Sequence, residues 1–156
     1  MKATLGAVLG ALLLVTKTAV AADPVVGTWE LNVAKSKFNS ALNPAPKSET
    51  RTYSESADGV TAVTIKTVGA NGKEETLSLS FKVDGKDYPV NDPQADTITE
   101  KRIDSHTVEY SEKKAGKTRL QGQRTVSQDG NTLTVSDTWT DKSGVKISQT
   151  MVYDKR

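Results

Sequence analysis

The chain contains no cysteine and a single histidine, His106. Without cysteine there is no disulfide staple, no thiolate metal site and no lipid-modified N-terminal cysteine. One histidine cannot build a histidine-rich metal centre, and here it sits between Ser105 and Thr107, where the sequence reads as a hairpin turn. No Gly-x-Ser-x-Gly elbow is present to display a serine nucleophile. Gly116-Lys117-Thr118 echoes a phosphate-binding loop, but Ser111 stands where its upstream glycine is required. Runs of one charge are also missing. The densest basic stretch, Lys113-Lys114-Ala115-Gly116-Lys117-Thr118-Arg119, reads as a solvated hairpin tip rather than a nucleic-acid surface. These absences leave no catalytic residue, metal or cofactor to assign, and stability must come from a packed core.

At the N-terminus Lys2 precedes an apolar run from Ala3 to Val15, followed by the small residues Ala19-Val20-Ala21. This is the pattern of a secretory signal peptide over residues 1–21, cleaved near Ala21 or Ala22, and it implies a periplasmic or secreted protein. A membrane anchor would need about 18 uninterrupted apolar residues, and Lys17 closes the run before that, so no span is expected after cleavage. Residues 22–156 then make one domain of ordinary size. Lys2 and Lys17 account for the formal charge of +2, so the rest of the chain is balanced at 19 basic against 19 acidic side chains.

From Val25 onward apolar residues recur every second position, the period of a strand with one buried face. Leu77, Leu79, Phe81 and Val83 alternate with Ser78, Ser80 and Lys82. Leu133, Val135 and Trp139 repeat the pattern, as do Val145, Ile147, Met151 and Tyr153. Asp58-Gly59, Asn71-Gly72, Asp84-Gly85, Asp129-Gly130 and Ser143-Gly144 fall between such runs and read as hairpin turns. Strands are predicted at 25–33, 49–56, 60–68, 74–83, 86–91, 96–103, 107–113, 118–127, 132–140 and 145–154. Short connections make consecutive strands pair, which gives an all-β fold: one antiparallel up-and-down barrel of about eight to ten strands, closed to hide its edges. Residues 34–48, with Pro44 and Pro46, read as a long connection with Phe38 against the barrel end, and Pro89 to Gln94 as a bend at a rim.

Gly27-Thr28-Trp29 resembles the Gly-x-Trp signature of lipocalins, fatty-acid-binding proteins and other calycins. Together with Lys35-Ser36-Lys37-Phe38, Asp84-Gly85-Lys86-Asp87-Tyr88-Pro89-Val90, Lys101-Arg102-Ile103-Asp104 and Val152-Tyr153-Asp154-Lys155, it makes nearly all of residues 22–156 look like small exported bacterial proteins known only as lipocalin-like. The resemblance implies the barrel and carries no activity with it. Residues 34–48 are a poor match to the two-helix lid of fatty-acid-binding proteins, and the disulfides and outer helix of many secreted lipocalins have no counterpart.

A two-residue turn at Asp129-Gly130 sets Val126 opposite Leu133, Arg124 opposite Val135, Gly122 opposite Asp137 and Leu120 opposite Trp139. A three-residue turn at Lys142-Ser143-Gly144 sets Gln149 opposite Asp137. Arg124 and Asp137 then lie among inward hydrophobes as diagonal neighbours. One reading is that Arg124, Asp137 and Gln149 hold the polar end of a small, mainly apolar or amphipathic ligand, with Trp29, Phe81, Trp139 and Tyr153 supplying contact surface. The other is a salt bridge that satisfies itself. Tyr110 with Arg102 and Glu100, and Tyr53 with Arg51, face inward by the same alternation, while nothing in the sequence sets the Glu100–Asp137 separation that acid–base work would need. The expected function is an exported, non-catalytic binding protein. The alternative is a structural or interaction module with a self-packed barrel, an inhibitor or envelope-associated protein working through its loops.

Overall fold

A computed structural model of the protein describes residues 22–39 and 41–156. The signal peptide expected over residues 1–21 lies outside the described residues. Among the described residues ten strands follow one another: β1 (Gly27–Leu31), β2 (Ser48–Glu55), β3 (Thr61–Val68), β4 (Glu74–Phe81), β5 (Asp84–Asp92), β6 (Ala95–Arg102), β7 (Thr107–Lys114), β8 (Lys117–Val126), β9 (Thr132–Thr140) and β10 (Lys146–Lys155). They form a single antiparallel sheet in the order β4-β3-β2-β1-β10-β9-β8-β7-β6-β5. The first and last strands meet, Leu31 opposite Tyr153, and curl the sheet into a nearly closed barrel.

Two expectations about turns are corrected. Asp84-Gly85 is not a hairpin tip, because β4 and β5 stand at the two ends of the sheet and do not pair. The positive φ of Gly85 (79°) serves the start of β5, where Asp84 accepts from the Lys86 amide and the Tyr88 hydroxyl. The barrel therefore keeps a seam between β4 and β5, and its edges are not fully abolished. Pro89 fits this position, since an end strand has one row of amides with no ladder partner. At Asp129-Gly130 the tip is a four-residue loop, with the Gly130 amide on the Ser127 carbonyl and the Ser127 amide on the Thr132 carbonyl. Two extra residues preserve parity, so Val126 still faces Leu133 and Gly122 still faces Asp137. The 142–144 loop sets Gln149 opposite Asp137 as expected.

The connection after β1 makes one 3-10 turn at Val33–Lys35, capped by the Asn32 side chain. It then returns to the barrel through a Lys37–Thr150 bridge and a Lys47 amide bond to the Val68 carbonyl. Phe38 packs on the core, and no two-helix lid occurs among the described residues. The core fills the end of the barrel at β1. Trp29 and Tyr153 are fully buried beside Leu133, Val135 and Phe81. The Trp29 indole N–H, which burial would otherwise strand, donates to the Val25 carbonyl at 2.7 Å. Outward positions carry hydroxyls, such as Thr138 and Ser148 paired at 3.2 Å.

Candidate functional site

Above the packed end the barrel encloses a cavity of about 280 Å3. Its two sides differ in chemistry. Val63 and Ile65 on β3, Leu77, Leu79 and Phe81 on β4, and Ile98 on β6 form an apolar wall. Facing them, β2 and β6–β9 present carboxylates and guanidiniums at inward positions of the same alternation. A second cavity of about 430 Å3 adjoins it at the open end, sharing the walls Glu49, Thr67 and Glu75 and bounded by Phe38, Pro44 and Pro46.

Arg124 sits in this lumen, 3% exposed, but its partner is not Asp137. Its Nη1 donates to both carboxylate oxygens of Glu100, at 2.6 and 2.5 Å. Strand register points to the neighbouring strand β9, whereas the side chain reaches across β7 to β6. Because one nitrogen serves both oxygens, Nη2 is left buried with no acceptor among the described residues. The guanidinium lies over the rings of Tyr53 and Phe81, with centroids 5.4 and 5.9 Å away.

Asp137 belongs to a separate group. Tyr110 donates its hydroxyl to Oδ1, Gln149 Nε2 donates to Oδ2 at 3.0 Å, and Asn43 closes the chain onto Gln149. The geometry depends on Gly122, which lies between Tyr110 and Asp137 in register. With no side chain at that position, the tyrosine ring lies flat across β8 and its hydroxyl meets the next strand. A Cβ on Gly122 would stand 2.3–2.6 Å from ring atoms of Tyr110.

A third group was only half visible in the sequence. Glu49, Arg51 and Tyr53 alternate inward on β2. Glu49 accepts from Arg51 Nε at 2.8 Å, the Tyr153 hydroxyl at 2.6 Å and the Thr67 hydroxyl at 3.1 Å. Arg51 stacks 5.0 Å over the Tyr153 ring. The i, i+2, i+4 spacing of Glu49, Arg51 and Tyr53 was the available signal. It was muted because charges occupy the positions where hydrophobes announce a strand's inner face. Arg119 and Glu112 pair at 2.6 Å on the same lining, where a register shift beside Glu112 breaks the alternation that would announce them.

The donors around each carboxylate set its proton affinity. Burial pushes Glu49 up, but Arg51 and the three hydrogen bonds outweigh it and the carboxyl lies below its ordinary value. Glu100 is buried with Arg124 as its only hydrogen-bond donor among the described residues. There desolvation wins, and its carboxyl is raised. Tyr110 is raised well above its ordinary value, first by burial and then by the Asp137 charge.

The remaining predicted contact residues lie apart from the cavity wall. Trp29 and Tyr153 are under its floor, in the packed end. Trp139 is half-buried between Leu120 and Ile147 in register, and Arg102 is bound to Asp23 at the base. His106 lies in the turn between β6 and β7, its amide on Asp104.

Comparison with protein-family models and with curated proteins finds no match. Among solved structures the chain is similar to the wild-type fluorescent protein UnaG, with 16% identity, a TM-score of 0.63, and 87% of this chain and 100% of that one covered. It is also similar to the extracellular fatty acid binding protein As-p18, at 13% identity and a TM-score of 0.56 over 86% of this chain and 97% of that one. A third is a zebrafish ileal bile acid-binding protein complexed with cholic acid, at 13% identity and a TM-score of 0.55 over 85% and 99%. At these identities the likeness is one of fold alone: the chain has a nearly closed ten-stranded barrel with a calycin-like fold.

Proposed function

We propose that the protein is an exported, non-catalytic binding protein whose barrel lumen takes a small, mainly apolar molecule with one polar end. One observation carries this reading. The lumen has an apolar wall facing a polar one, and on the polar side the buried Arg124 Nη2 has no acceptor among the described residues. A buried donor without a partner costs about 1–3 kcal/mol, and a ligand oxygen would remove that cost. The inner cavity and its continuation at the mouth together fall within the roughly 300–1,000 Å3 of small-molecule pockets. The similar structures include proteins described as binding a fatty acid and a bile acid, which supports a ligand in this lumen as well. Export is proposed from the N-terminal sequence alone.

The self-packed alternative draws support from the same lumen, since three of its arginines are already matched to glutamates. Nile red, a neutral polarity-sensitive dye, separates the two readings. Added to the full chain it is expected to brighten and shift to the blue saturably. Ile65→Trp, which fills the cavity from its apolar wall, should abolish that signal. A wild-type chain that leaves the dye dark, and flies as a bare mass in native mass spectrometry after detergent-free purification, would refute the binding reading.

A further inference from the structure

The charges of the lumen identify the kind of polar end it accepts. Three guanidiniums line the cavity, and each is matched to a glutamate: Arg51 to Glu49 at 2.8 Å, Arg119 to Glu112 at 2.6 Å and Arg124 to Glu100 at 2.5 Å. Three further carboxylates border the same space. Glu75 is paired outward with Lys73, while Asp92 and Asp137 have no cation within salt-bridge distance among the described residues. The cavity therefore holds more negative than positive charge, and no guanidinium in it is free of a carboxylate.

Two buried guanidinium donors on this lining have no acceptor among the described residues, Arg119 Nε on a side chain 31% exposed and Arg124 Nη2 on one 4% exposed, and the more deeply buried is Arg124 Nη2. The site asks for an oxygen while its field disfavours a second anion beside Glu100. Resting on the reading of the lumen as a binding site, we propose that the polar end of the ligand is an uncharged hydrogen-bond acceptor, a hydroxyl, carbonyl or ether oxygen received by Arg124 Nη2, and that carboxylates are rejected. Glu100 is then a specificity-determining residue. It neutralises Arg124 and turns a potential anion site into one that reads a neutral oxygen.

Three ligands with the same ten-carbon chain, 1-decanol, decanoate and decylammonium, test this by isothermal titration calorimetry on the full chain at neutral pH. The alcohol should bind at least about tenfold more tightly than decanoate, because like charges brought together in a desolvated site are strongly disfavoured. Decanoate binding as well as or better than the alcohol would overturn the proposal while leaving the lumen a binding site. Decylammonium binding most tightly would overturn it in the other direction. No heat from any of the three would strike at the binding reading itself. Glu100→Gln, which keeps the shape and removes the charge, should raise decanoate affinity at least about tenfold. An unchanged decanoate affinity in a folded Glu100→Gln chain would also overturn the proposal. If that variant does not fold, the wild-type comparison decides alone.

Discussion

Replacing Gly122 by alanine tests whether the row Tyr110–Gly122–Asp137 is held by the missing side chain. Gly122 does not have a positive φ, so alanine suits its backbone, and any cost must come from the tyrosine above it. The new Cβ would stand 2.3 Å from Cζ, 2.5 Å from the hydroxyl oxygen and 2.6 Å from Cε2. A rigid ring cannot absorb an overlap of that size by rotating. It must lift off β8, and the hydroxyl leaves Asp137 as it does so. Overpacking of this kind costs about 1–3 kcal/mol. In a Tyr110→Ala background the ring is gone, and the same substitution should become neutral or stabilising by up to about 0.5–1 kcal/mol, because alanine orders a strand at lower entropic cost than glycine. The coupling is then on the order of 2–3 kcal/mol. It is readable from urea-unfolding midpoints of the four chains, followed by tryptophan fluorescence. Tyr110→Phe is the control: it keeps the ring and loses the hydroxyl, so the part of the Gly122→Ala penalty that comes from the ring carbons should persist. Equal penalties with and without the ring would refute the steric argument.

Two further outcomes follow from the buried charges. Glu49 is held below its ordinary value, so the stability it contributes is present above about pH 4.5 and is lost as pH falls through its folded value. Glu49→Gln should therefore flatten the acid side of a plot of urea midpoint against pH. Glu100 has the opposite sign. Its carboxyl is raised by burial, so its contribution is greatest at low pH and declines as pH rises through the folded value. For the Arg124–Glu100 pair, Arg124→Met alone should cost about 3–5 kcal/mol by leaving a buried carboxylate unmatched. The double change Arg124→Met with Glu100→Leu should recover most of that loss in the same unfolding assay.

The strands were legible because their alternation is nearly unbroken. The run predicted at 132–140 is β9 to the residue, and most other boundaries lie within one or two positions. The seam was not legible. Asp84-Gly85 has the composition of a hairpin tip, and whether two flanking strands pair depends on how the whole sheet curls. Within the site, register followed from loop parity, which placed Arg124, Asp137 and Gln149 on one inner face. The partner of Arg124 did not follow. A long side chain inside a barrel chooses among carboxylates on several strands, and sequence arithmetic ranks only those next door. Glu49 escaped because it sits where a hydrophobe was expected.

The join between β1 and β10 also governs the order in which the barrel can be made. Trp29 and Leu31 lie opposite Lys155 and Tyr153, and the Arg156 amide donates to the Thr28 carbonyl. As the chain leaves the ribosome, β2 to β4 and β6 to β9 can each form a hairpin with the strand made just before, but β1 has one flank that nothing can occupy until β10 emerges. Through most of synthesis the largest aromatic of the core waits without the neighbours that bury it. Ring closure is the slow, long-range step for such a topology, so the nascent barrel remains an open ribbon, easily threaded or captured, until β10 has been made.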